Sequence, residues 1–196
     1  NSKGRRVVAD DFVFSFNRLA SPKLACPGAW TMDYVARKDN ELLIKAINDT
    51  TLVINLVNPF PPFVSILAMQ YCSVIPKEIV EHYGSNFRNH PVGTGPFKFK
   101  MWKEGVKLVL VKNDNYFEFE NDNKLPYIDA VAVSFIVDKQ TAFLEFIKGN
   151  LDVISGIDAG YKDELLTRNG RLNPKYEDEI IMLSQPYLNT EYLGFL

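Results

Sequence analysis

Two stretches of this chain alternate apolar and polar residues on either side of a turn, and that pattern commits it to antiparallel hairpins. Residues 41–47 and 51–57 flank Asn48-Asp49-Thr50, and in the second run Leu52, Ile54 and Leu56 alternate with Val53 and Asn55. Side chains of a strand alternate between its faces, so such a run buries one face and wets the other. After Pro91 the pattern returns: Phe97, Phe99 and Met101 alternate with Lys98, Lys100 and Lys103 before Glu104-Gly105 turns the chain into residues 106–112.

Helices are interleaved with these hairpins. Asp10-Asp11 followed by Phe12, Val13, Phe16 and Leu19 predicts a helix whose acidic first turn complements the macrodipole and which Ser21-Pro22 stops. The segment from there to residue 38 is irregular and aromatic. Pro62 opens a short apolar helix through Met69, and Pro76 opens another over 77–83 that Gly84 closes. Residues 113–125 are polar and aromatic, 128–137 are apolar enough for a central strand, and 139–148 form a helix with Ala142, Phe143, Phe146 and Ile147 on one face. A strand over 151–154, a short helix over 158–167 and a closing strand from Ile180 onward follow. The run 128–154 would suit a strand-helix-strand crossover, but its mixture with hairpins predicts an α+β fold of mixed sheets and short helices. Turn formers cluster over 84–91 and predict a boundary near 85–92.

A chain of 196 residues suffices for one large or two small domains. Its 22 Lys and Arg against 24 Asp and Glu give a net charge of -2, which leaves no basic footprint for nucleic acid. The stretch 59–69 holds three prolines and is about half the ~20 residues a spanning helix needs. No apolar run follows Arg5-Arg6, so the start does not read as a signal peptide. Cys26 and Cys72 lie in no C-x-x-C pair and are compatible with one disulfide or two buried thiols.

The sharpest local motif, Pro91-Val92-Gly93-Thr94-Gly95-Pro96-Phe97, runs into an alternating strand rather than a helix, and Lys98 stands where a dinucleotide fingerprint needs its third glycine. Gly93 and Gly95 therefore read as a tight structural turn using backbone angles that glycine reaches cheaply. His82 and His90, the only histidines, have no zinc spacing, and no G-x-S-x-G elbow exists. The acidic runs Asp10-Asp11 and Glu177-Asp178-Glu179 read as solvated faces. No catalytic residue, metal ligand or cofactor is assigned. What remains is an aromatic surplus of 13%, including Trp30, Tyr34, Tyr71, Tyr116, Phe117, Tyr187 and Tyr192 in or beside irregular segments, where such side chains pack or line a cleft.

These pieces in order resemble the family 5 extracellular solute-binding proteins of ABC importers, which include oligopeptide-, dipeptide- and nickel-binding proteins. The resemblance is carried by Val8-Ala9-Asp10-Asp11-Phe12-Val13-Phe14-Ser15-Phe16, by Ser73-Val74-Ile75-Pro76-Lys77-Glu78 with Tyr83-Gly84, and by the residues from Pro91 to Phe99. It continues through Trp102, Gly105, the residues from Val109 to Phe117, Leu125-Pro126-Tyr127-Ile128-Asp129, Lys148-Gly149-Asn150 and Tyr192-Leu193-Gly194-Phe195. Val8 stands where the family usually has a capping Thr, a loss of about 1 kcal/mol.

The resemblance implies part of lobe I of a two-lobed, type II periplasmic-binding-protein-like fold, the chain being an internal fragment. Residues 1–90 correspond to an accessory subdomain, 91–180 to the partial main sheet, and 181–196 to a strand crossing toward a second lobe. It further implies capture of a peptide or similar small solute and delivery to ABC permease subunits, with no enzymatic step and no cofactor. Trp30, Tyr34, Tyr187, Asn189 and Tyr192 fall at approximately matching ligand-binding positions. The compartment implied is periplasmic or extracytoplasmic, with membrane association only through a lipid anchor or the permease. A hydrolase and a stand-alone interaction module on the same scaffold are the alternatives.

Overall fold

A computed structural model describes residues 4–156, 158–186 and 194. The first helix, α1 (Ala9–Leu19), starts where expected and turns Phe16 and Leu19 inward. Val8 supplies no side-chain cap, but the neighbouring chain compensates. The Ala9 N–H donates to the Asp49 carbonyl at 2.9 Å, and the Val8 N–H donates to Asp11 Oδ2 at 2.9 Å. The helix start is thus held by the tip of a hairpin rather than by a threonine.

That hairpin is β3 (Ile44–Asn48) against β4 (Thr51–Ile54), antiparallel, with Ile44 opposite Ile54 and a register shift between Ala46 and Asn48. A smaller ribbon, β1 (Arg37–Lys38) with β2 (Glu41–Leu42), precedes it. Leu42 and Ile44 face inward together, as period-two alternation demands, and join Phe16, Leu19, Met32, Val35, Phe63 and Cys72 in one apolar cluster. Leu52, Ile54 and Leu56 pack against it from the second strand. The short helices α2 (Phe63–Leu67) and α3 (Lys77–Tyr83) follow Pro62 and Pro76, and Gly84 ends α3 at φ 52°.

Beyond residue 90, β5 (Phe97–Lys103), β6 (Lys107–Lys112) and β9 (Ala130–Ser134) form a three-stranded antiparallel sheet in the order β5-β6-β9. Among the described residues the stretch expected to be a central strand is therefore an edge, and β6 is central. An apolar run shows that a strand seeks cover but not whether a further strand lies beside it. Between β6 and β9, in the polar and aromatic stretch 113–125, a further ribbon, β7 (Phe119–Glu120) with β8 (Asn123–Lys124), turns through Asn121 and Asp122 at φ 47° and 67°. That pair of positive angles is the two-residue hairpin geometry that Asn and Asp tolerate.

Gly93 and Gly95 correct a second expectation. The chain bends over residues 94–96, but neither glycine has a positive φ and an added Cβ would meet nothing within 4 Å. Asn113 pins the bend instead: its Nδ2 donates to the Gly95 carbonyl and its backbone N–H to the Pro96 carbonyl, both at 2.9 Å.

The described residues divide into two compact units, Asn1–Ser134 and Phe135–Leu196. In the second, α4 (Lys139–Ile147) is capped by Asp138, whose carboxylate accepts from the Thr141 N–H at 2.7 Å, and Gly149 leaves it at φ 78°. Phe143 is its buried anchor and stacks on Tyr161 at 4.4 Å. Residues 151–154 form no strand, and Val153 is 80% exposed, because no partner strand lies beside them among the described residues. The helix expected over 158–167 contracts to α5 (Lys162–Leu165), and residues 180–186 form no strand. The rest of the expected closing strand, residues 187–193, lies outside the described residues. The fold is α+β, and among the described residues no helix is long and apolar enough to cross a membrane.

Candidate functional site

Pro27-Gly28 breaks the irregular segment after α1 and starts a 3-10 turn over Ala29–Met32. Thr31 locks it: its Oγ1 donates to the Gly28 carbonyl at 2.8 Å while the side chain is fully buried. With Thr31, Met32 and Val35 all turned inward, Trp30 is left on the outside, 43% exposed. Tyr34 has a different setting. Its ring stacks on Phe60, centroids 4.3 Å apart and nearly parallel, and packs against the apolar cluster. Of the five expected ligand contacts, Trp30 and Tyr34 thus flank the same turn, one open to solvent and one half-buried. Tyr187, Asn189 and Tyr192 lie outside the described residues.

A second 3-10 turn, Gln70–Cys72, fastens to the first. Cys72 Sγ donates to Thr31 Oγ1 at 3.7 Å, and the Tyr71 ring lies on the backbone of Gly28. A Cβ at position 28 would come within 2.4 Å of Tyr71 Cγ, so only glycine admits the ring there. Tyr71 remains 38% exposed. Its seat on Gly28 was not legible from spacing; the one local signal is a glycine between a proline and an aromatic turn. Burial pushes the Cys72 thiol up from its ordinary range, so it stays protonated and inert, and Cys26 is a second free thiol, half-buried.

The support behind this face comes from α1. Asp11, buried in its first turn, accepts from the Arg5 guanidinium and is held below its ordinary range chiefly by that bond. The same guanidinium donates to Glu78 at the start of α3. Ser15, also buried, accepts from the Ile75 N–H at 2.9 Å and donates to the Asp11 carbonyl at 2.6 Å. The motif around Asp11 and Ser15 therefore joins α1 to the strand-like residues before α3.

Other groups of interest are committed to packing or to each other. His90 stacks on Tyr83 at 3.7 Å, and His82 meets the same ring edge-on. A shallow cavity of about 440 Å³ in the second unit is lined by Asp138, Lys139, Asp158 and Tyr161, with Lys139 Nζ 3.4 Å from Asp158. Asp138 and Asp158 are both held below the ordinary carboxylate range, by the Thr141 side chain and the Gly160 N–H respectively. Such carboxylates are acceptors rather than proton donors near neutrality. Among the described residues no three His, Cys, Asp or Glu side chains gather at a metal-sized site.

The family profile described as bacterial extracellular solute-binding proteins, family 5 Middle, matches residues 2–195. The periplasmic oligopeptide-binding protein OppA of Salmonella typhimurium is 29% identical over 97% of this chain and 35% of its own length. OppA of Burkholderia pseudomallei superposes with a TM-score of 0.74 at 25% identity, over 84% of this chain and 34% of that one. OppA of Haemophilus influenzae, solved in complex with the peptide RPPGFSPFR, superposes at 0.71 with 30% identity, over 84% of this chain and 35% of its own. The chain thus spans about a third of the length of these relatives. Over nearly its whole length it carries one family's pattern, and it belongs to the bacterial extracellular solute-binding proteins of family 5.

Proposed function

We propose that the chain is part of lobe I of the substrate-binding component of an ABC importer, and that the protein captures peptides and hands them to membrane permease subunits outside the cytoplasmic membrane. The observation that carries this reading is the match to the family over residues 2–195, with its motifs in unbroken order. The oligopeptide-binding relatives, one of them solved around a nine-residue peptide, favour peptides as the ligand class. In this reading residues 1–90 are the accessory subdomain, 91–180 belong to the main sheet, and 181–196 lead toward a second lobe. Capture is binding without chemistry: a two-lobed cleft closes because the ligand makes more contacts in the shut state than in the open one. Trp30, Tyr34, Tyr187, Asn189 and Tyr192 contribute this lobe's share of those contacts. Attachment to the membrane is through a lipid anchor or the permease.

Native mass spectrometry of the protein as its own cells produce it tests the reading. The expected result is a species well above 22.3 kDa that releases unmodified short peptides on denaturation. Peptides cut during incubation would favour a hydrolase. A 22.3 kDa species carrying nothing would favour a stand-alone module.

A further inference from the structure

Tyr71 differs from the tyrosines that this chain uses to brace itself. The hydroxyls of Tyr116, Tyr127 and Tyr176 each donate to a glutamate within the chain, at 2.7, 2.7 and 2.8 Å. Among the described residues, the Tyr71 hydroxyl and the Trp30 indole N–H have no such partner. Both side chains are over a third exposed, and they rise from two 3-10 turns that Thr31 and Cys72 tie together. One side of the Tyr71 ring is seated on bare backbone at Gly28, where any side chain would collide with it. Two rigid aromatics with seated bodies and uncommitted donors suit a ligand that offers apolar side chains and carbonyl acceptors together. A peptide in an extended form has that chemistry.

We propose that Tyr71 is a further ligand-contacting residue, acting beside Trp30, and that Gly28 is the seat that orients it. The inference rests on the proposed capture of peptides. Trp30 and Tyr71 then discriminate among solutes by the size of an apolar side chain, and Gly28 acts only through Tyr71.

The test uses the full-length protein and two probes, the tripeptides Ala-Phe-Ala and Ala-Ala-Ala, titrated calorimetrically. Tyr71→Ala is expected to weaken Ala-Phe-Ala about tenfold and Ala-Ala-Ala less than about twofold, the loss of one aromatic contact. Tyr71→Phe keeps the ring and is expected to retain most of that preference. Gly28→Ala should unseat the ring and reproduce the Tyr71→Ala loss, while the double variant should be no weaker than either single one. Unchanged thermal midpoints separate these effects from unfolding. Equal losses for both probes, or additive losses in the double variant, would overturn the proposal. If Trp30→Ala weakens binding and Tyr71→Ala does not, Tyr71 is merely structural and peptide capture stands. If the wild-type protein binds neither probe, peptide capture and the role of Tyr71 fall together.

Discussion

Arg5 is the residue on which two helices depend, because its single guanidinium donates both to the buried Asp11 of α1 and to the exposed Glu78 of α3. Glu78 lies in water and the pair is screened; Asp11 does not have that recourse. Replacing Arg5 by Met should cost about 1 kcal/mol at neutral pH, an amount already reduced for the 42% exposure of the arginine side chain. The sign with pH follows from the carboxylate. Asp11 titrates lower in the folded chain than its ordinary 3.8, so its contribution is present above that value and is lost as pH falls through the folded value. Urea midpoints of the wild type should therefore fall on acidification, and the gap to Arg5→Met should shrink as pH drops below the ordinary carboxylate range and through the lower folded value of Asp11. A gap that stays constant with pH would mean that Arg5 acts by packing alone.

At the scale of elements, the β5–β6 hairpin is the clearest case of a sequence writing its own geometry. Lys103 pairs with Lys107 across a three-residue loop, and Gly105 sits in it at φ 68° with open space around its missing side chain. Gly105→Ala should thus cost about 1 kcal/mol from backbone conformation alone, and Gly105→Asn about half as much, read from urea unfolding midpoints. Alternation and turn residues made this hairpin, β3–β4 and the helix starts at Asp10, Pro62 and Pro76 legible. Where pairing depended on something distant, legibility stopped. Among the described residues, 151–154 have strand composition but no neighbour and β9 has the composition of a central strand but lies at an edge, while the short β7–β8 ribbon was signalled only by Asn121-Asp122. The seat of Tyr71 on Gly28 joins turns far apart in the chain, and no local period encodes that. Trp30 was legible as an aromatic in an irregular segment, while its outward direction came from the burial of Thr31 and Met32 beside it.

At the scale of the whole molecule, apolar burial is uneven. The unit ending at Ser134 holds the cluster around Phe16, Met32 and Val35, whereas the unit from Phe135 buries Phe143 and Leu165 among its described residues. Hydrogen exchange in the full-length protein should follow: amides of α1 and of Val35 should exchange slowest, and those of α4 at least about tenfold faster. Uniform protection would mean that the second unit gains cover elsewhere in the protein. The bond from the Ile75 N–H to Ser15 spans 60 residues, and that from Arg5 to Glu78 spans 73. A ribosome delivers the chain from its amino end, so α1 and the β3–β4 hairpin exist well before either partner does. Until residues 63–75 have emerged, Ser15 lacks its Ile75 partner and the apolar cluster lacks Phe63 and Cys72. The nascent chain therefore carries an exposed apolar surface for that interval, and a chaperone that recognises such surfaces has its binding window there.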